Sequence, residues 1–174
     1  MNEIARRNAF VLAAIVFVVD QVIKWLVAGP LALHQVGDTI ELLPIFELKR
    51  VHNYGVSLGM MQADSDLARW GLVGLTAAIA IGVAVWITRE RNRQDLIGLA
   101  LVLGGALGNI VDRVRLGYVL DYANLHFGDW SPFLVFNVAD AGITIGVLIL
   151  FLRALLVRDP KPSKPNASVE TSDA

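Results

Sequence analysis

The chain has 174 residues, of which 55% are hydrophobic and only 18% charged, and its mean hydropathy is +0.57. A soluble domain carries nearer a quarter of its residues as charges, so the composition points to a small polytopic membrane protein. A formal net charge of −1 offers nucleic acid no footprint, the absence of cysteine excludes disulfides, thiolate metal sites and a cysteine nucleophile, and the three scattered histidines (His34, His52, His126) lack metal-ligand spacing, so neither metal nor cofactor is expected.

Four segments are long and apolar enough to cross a bilayer as helices, which takes about 20 residues each. The first, residues 8–28, follows Arg6 and Arg7 as a secretory signal would. Asp20 and Lys24 interrupt it, however, and no small-x-small cleavage site follows, so it reads as a retained helix. Asp20 and Lys24 stand four residues apart in the favourable order for a helical ion pair, and a structural polar pair is expected there. An intramembrane acid is nonetheless a functional candidate by default.

The long connection at 29–66 includes "DTIELLPIFELKRVHN" (38–53), which mixes β-branched and aromatic residues with polar ones around a central Pro. It predicts two short strands of a small sheet lying on the membrane surface. Asn53 follows in "VHNYGVSLG". The second helix, 67–88, runs into the basic "TRERNR", and the third is expected over 96–111, where "GGALG" suggests close packing against a neighbour. Asn109-x-x-Asp112 closes it, Asp121 follows in the outer loop, on the apolar "LGYVLD", and Asn137-x-x-Asp140 lies in the fourth helix, 133–157. From Asp159 the chain is rich in Pro, Ser and charge, and a disordered tail over 159–174 is expected after a single membrane domain at 1–158.

Nine of the fifteen Lys and Arg residues lie at the chain ends and in the loop between the second and third helices. The positive-inside rule then places both termini in the cytoplasm, with 29–66 and 112–132 on the other side.

The chemistry is expected at that outer face. Spacing of three residues puts Asn109 with Asp112, and Asn137 with Asp140, on one helical face each. Asp140 has two readings. A helix beginning at Phe133 carries it beyond the reach of the macrodipole, whereas one beginning at Asn137 makes Asn137 a cap and Asp140 a first-turn acid. Asp112 stands beside Arg113 and Arg115 and reads as scaffold in a charge network. Asp121 with Asp140 is taken as the reactive pair, although spacing alone does not decide between Asp121 and Asp112.

Two carboxylates brought together cannot both ionise cheaply, so they share a proton and supply an acid and a base at once. Such a dyad activates water against a peptide carbonyl without Ser, Cys or metal. Ser57 and Ser131 stand in no nucleophile-elbow context. The rival reading is a small proton-coupled membrane transporter, but its acids would be spread through the membrane as a relay, and neither a mid-depth helix break nor an inverted repeat is visible.

The stretches "DQVIK" (20–24), "HNYGVS" (52–57), "GGALGNIVDR" (104–113), "GYVLDY" (117–122) and "FNVAD" (136–140) together resemble the motif series of the bacterial lipoprotein signal peptidases, signal peptidase II. The resemblance implies an all-α membrane protein of four transmembrane helices with a small extracytoplasmic β-cradle. It implies an aspartic endopeptidase of the bacterial inner membrane, working among membrane lipids, that removes the signal peptide of diacylglyceryl-modified prolipoproteins just before the lipidated cysteine. Residues matching the family's catalytic dyad are Asp121 and Asp140. Asn53, Asn109, Arg113 and Asn137 match positions that line or support the site, and Asp20, Lys24 and Asp112 match polar scaffold positions. Cyclic peptide antibiotics of the globomycin type are the inhibitors implied. The chain departs from the commonest pattern at Tyr122, where the family usually has Phe, in "GVSLG" after Tyr54, and at Ala141-Gly142 after the second acid.

Overall fold

The computed structural model describes residues 2–31, 33–55, 66–128 and 130–156. Ser57, the ends of the stretches that contain it, and the tail from Asp159 lie outside the described residues. Among the described residues, four helices are long and apolar enough to cross a membrane: α1 (Asn2–Ala28), α2 (Asp66–Arg89), α3 (Arg93–Leu116) and α4 (Val138–Leu156). Three strands, β1 (Thr39–Leu43), β2 (Phe46–Asn53) and β3 (Val119–Leu125), form one antiparallel sheet in the order β1-β2-β3. The outward helix faces carry exposed Leu, Ile, Phe and Trp, among them Trp25, Leu75, Trp86, Phe151 and Leu155, as lipid-facing surfaces do.

Helix α3 is the inner helix, packed against α1, α2 and α4, and its small residues explain why. A Cβ on Gly104 would stand 2.5 Å from the Ala13 carbonyl oxygen of α1, and one on Gly105 would collide with the Ala139 carbonyl of α4. Gly98 and Gly146 face each other across α3 and α4, where a Cβ on Gly146 would meet the Gly98 carbonyl oxygen at 2.5 Å. Without a hydrophobic drive between helices in lipid, such backbone approach supplies the dispersion contact that holds a bundle together. α3 ends at Gly117, whose φ of +87° is open to glycine and whose N–H donates to the Arg113 carbonyl.

The expected hairpin is present, with Pro44 and Ile45 turning between β1 and β2. Three sequence-based expectations need correction. The segment with Asp121 is a strand rather than a loop: β3 pairs with β2 from Phe46↔Leu125 to Asn53↔Val119. Nearly all of β3 is buried on both faces, so it lacks the alternation that marks a half-exposed strand. The fourth helix begins at Val138, not Phe133, because Phe136 is drawn into an extended bridge with Ala123. Third, α3 runs past 111 to Leu116, so Asp112 lies inside the helix rather than at its end.

Candidate active site

The site is built where α3, β3 and the start of α4 meet. Ala123 N–H donates to the Phe136 carbonyl at 2.7 Å and Phe136 N–H returns to Ala123 at 3.0 Å, so the entry to α4 is laced to β3 two residues from Asp121. This pairing brings Asn137 beside Asp121, though the two are 16 residues apart.

The first N–H groups of α4 have no backbone partner within the helix and take theirs from β3, from α1 and from the residue that precedes the helix. Val138 N–H donates to the Tyr122 hydroxyl of β3 at 3.3 Å, Ala139 N–H to Asp20 Oδ1 of α1 at 2.9 Å, and Asp140 N–H to Asn137 Oδ1 at 2.8 Å. Asn137 is therefore the N-cap and Asp140 the third helical residue. The reading that placed Asp140 beyond the macrodipole's reach is overturned; it sits in the first turn, where the positive helix end favours a carboxylate.

Three asparagine amides converge on the two acids, and in each the orientation follows from its other contact. Asn137 Oδ1 is engaged by the Asp140 N–H, so its Nδ2 faces Asp121 Oδ1 at 2.6 Å. Asn53 Oδ1 accepts from Gly55 N–H at 2.8 Å, which turns its Nδ2 toward Asp121 Oδ2 at 3.0 Å. Asn109 Oδ1 faces the Lys24 ammonium at 3.3 Å, leaving its Nδ2 to donate to Asp140 Oδ1 at 2.8 Å. Asp121 thus receives an amide on each oxygen, and Asp140 receives one.

Asp121 is 2% exposed. Burial, and then the charge of Asp140, push its carboxyl up to about 7, against the opposing pull of the Asn53 and Asn137 amides and of Lys24. Near neutral pH the Asp121 carboxyl is therefore held close to its midpoint, where it can either give or take a proton.

Arg113 interacts electrostatically with Asp140, Asp121 and Asp112, and Lys24 acts on Asp121 as well. The absence of basic residues within a helical turn of Asp121 and Asp140 in sequence is thus offset in space. The Arg113 Nε is buried with no partner among the described residues. Gly55, with φ +78°, leaves room for the guanidinium: a Cβ there would be 3.2 Å from one of its terminal nitrogens.

Asp20, Lys24 and Asp112 form one buried cluster. Lys24 Nζ is 2.8 Å from Asp20 Oδ2 and 2.8 Å from Asp112 Oδ2, so Asp112 pairs across to α1 rather than with its neighbours Arg113 and Arg115. Gln21 Nε2 adds a bond to Asp112 Oδ1 at 3.1 Å. Sequence reasoning missed Gln21 and the capping roles of Asp20 and Tyr122; no local signal marks them, because each acts on an element distant in sequence. Among the described residues no three His, Cys, Asp or Glu side chains gather as a metal site would require.

Fold and site define a multi-pass membrane protein with a clamped pair of carboxylates at one end of its helices. Residues 12–156 match the family of Signal peptidase (SPase) II, and the chain belongs to that family of peptidases. It is 59% identical to a lipoprotein signal peptidase of Rhizorhabdus wittichii over 95% of each chain. It is 53% identical to one of Sphingopyxis alaskensis, over 90% of this chain and 94% of the relative, and 40% identical to one of Caulobacter vibrioides, over 89% and 90%. Two solved structures described as a bacterial membrane enzyme studied by the in meso method share the fold. One, at 1.9 Å resolution, has a TM-score of 0.74 at 28% identity over 86% of this chain and 92% of its own; the other, at 2.3 Å, has 0.73 at 26% over 85% and 87%. None of these relatives supports the transporter alternative.

Proposed function

We propose that this chain is an aspartic endopeptidase that removes the signal peptide from diacylglyceryl-modified bacterial prolipoproteins, cutting just before the lipidated cysteine. Its family and its relatives' names support the substrate class. The observation that carries the mechanism is the sharing of Asn137, which donates to the Asp121 carboxylate while capping the helix turn that holds Asp140.

In this reading a water between Asp121 and Asp140 gives a proton to the ionised carboxylate, and its oxygen bonds to the scissile carbonyl carbon. The proton held by the other acid passes to the carbonyl oxygen, giving a tetrahedral diol. As the C–N bond breaks, the departing amine takes a proton from the pair, the diol becomes a carboxyl group, and the dyad regains its starting protonation. Asn53, Asn109 and Asn137 hold the acids, and Arg113, with its unpaired Nε, is placed to hydrogen-bond a substrate carbonyl and stabilise developing charge.

The site lies at the end of the bundle that carries the sheet. In this reading, which takes its orientation from the positive-inside rule, the reaction occurs at the extracytoplasmic face of the inner membrane, with both termini in the cytoplasm and the diacylglyceryl chains of the substrate among the lipids of the outer leaflet. Cyclic peptides of the globomycin type are expected to compete for the same space.

The test is cleavage of a diacylglyceryl-modified prolipoprotein by the detergent-purified protein beside Asp121→Asn, Asp140→Asn and Asp112→Asn. Folded but inactive Asp121 and Asp140 variants with partial activity in Asp112→Asn are expected. Failure of the unmutated protein to cleave, or full activity in either dyad variant, sinks the mechanism.

A further inference from the structure

The mechanism above leaves one buried cation unused. Lys24 is 5% exposed, and its Nζ has three acceptors around it: Asp20 Oδ2 at 2.8 Å, Asp112 Oδ2 at 2.8 Å and Asn109 Oδ1 at 3.3 Å. An ammonium has three protons and no lone pair, so these contacts saturate it and admit only the oxygen of the Asn109 amide.

We infer that Lys24 is a positioning residue for the reaction: it holds the Asn109 amide with its nitrogen toward Asp140, and through Asp112 it holds the backbone that carries Asp121. The inference rests on the peptidase reading and deepens it. Turning the Asn109 amide over would press its NH2 against the ammonium and its oxygen against the Asp140 carboxylate, now joined by an N–H···O contact of 2.8 Å. Among the described residues no backbone N–H fixes this amide as Gly55 fixes Asn53 and Asp140 fixes Asn137; its oxygen takes only Lys24 at 3.3 Å and a longer contact from Asn137 Nδ2 at 3.4 Å. The second arm runs through Asp112, whose Oδ2 also accepts from the Leu120 N–H at 3.1 Å, one residue before Asp121. Asp20, the third partner, takes the Ala139 N–H at 2.9 Å, one residue before Asp140. Charge balance alone is met by Asp20 and Lys24. The remaining contacts of Lys24 lead to both acids, which ties it to the chemistry.

The variant is Lys24→Met with Asp112→Asn, which removes the ammonium together with one of its two carboxylate partners, so that the cluster's net charge is unchanged. Its kcat is expected to fall about 10–100-fold with KM within about twofold, as loss of orientation rather than of binding requires. Asn109→Leu is expected to show a similar loss, and the combination of all three changes no more than that of the pair, because one arrangement is being broken twice. Lys24→Arg, which keeps a donor-only group, is expected to recover part of the rate. A rise in KM at unchanged kcat, or losses that multiply, would overturn the inference.

Should the paired variant not fold, the side-chain amide resonance of Asn109 in 15N-asparagine-labelled protein decides. Asp140→Asn alone is expected to move that resonance, since the NH2 group faces the substituted side chain. An unmoved resonance means that the amide does not face Asp140, and the inference fails. This arm needs no turnover, so an inactive unmutated protein counts against the peptidase reading alone.

Discussion

Asn137 Nδ2 stands 2.6 Å from Asp121 Oδ1, while the oxygen of the same amide caps the first turn of α4 at Asp140. One side chain therefore sets a helix end and positions a carboxylate on another element. These two duties separate by substitution. Asn137→Ala is expected to lose both, destabilising the protein by about 0.5–2 kcal/mol for the cap and cutting the rate at least tenfold. Asn137→Ser keeps a capping oxygen but is too short to reach Asp121, so thermal stability should return while the rate does not. Recovery of full rate with Ser would show that the amide contact to Asp121 is dispensable.

The proton on Asp121 sets an expected pH limit on activity. With Asp121 raised to about 7 by burial and by Asp140, its carboxyl loses that proton as pH rises through this value, and cleavage is expected to decline on the alkaline side. A rate that climbs steadily to pH 9 would contradict this.

The same shift has a stability consequence of defined sign. Asp121 binds a proton more tightly folded than unfolded, so its stabilising contribution is full below about 4, the unfolded value, and is lost as pH rises to about 7. Asp121→Asn removes the cost of the buried charge. Its advantage in stability over the unmutated protein should be larger at pH 8 than at pH 5, by about 2–3 kcal/mol, and its advantage in thermal midpoint should grow accordingly. An equal advantage at both pH values would mean that Asp121 titrates alike in the two states.

The Tyr122 hydroxyl accepts the first N–H of α4 at 3.3 Å. Tyr122→Phe should cost about 0.5–1.5 kcal/mol while leaving the ring packed, and should change the rate little. Thermal unfolding and turnover of the one variant check both halves.

Gly108 is where α3 passes the polar cluster of α1, and a Cβ there would stand 2.5 Å from Asp20 Oδ2. Gly108→Ala must displace a carboxylate that pairs with Lys24 and caps α4 at Ala139. A destabilisation of about 1–3 kcal/mol with loss of activity is expected. Gly74, on α2, has open space at its Cβ position, and Gly74→Ala is the control that should do neither.

The chain's apolar runs of about 20 residues mark its four membrane helices, and the alternating polar and apolar residues around Pro44 mark the hairpin, because these signals are local. The polar residues stand out for the same reason: Asp20, Lys24, Asn109, Asp112, Asp121, Asn137 and Asp140 are costly in or beside lipid and must be partnered there. Their partners could not be read the same way. Asp112 seemed to belong with Arg113 and Arg115, its neighbours in sequence, yet it pairs with Lys24 of another helix. β3 lacks an alternating pattern because both its faces are buried, and the start of α4 shifts to Val138 because Phe136 bridges to Ala123 across the fold. Composition and spacing, which act over one or two turns of chain, determined what the membrane segments are and which groups demand satisfaction. Only the tertiary structure, through strand pairing and close helix approach at glycine, decided that Asp121 and Asp140 would be held by the same asparagine.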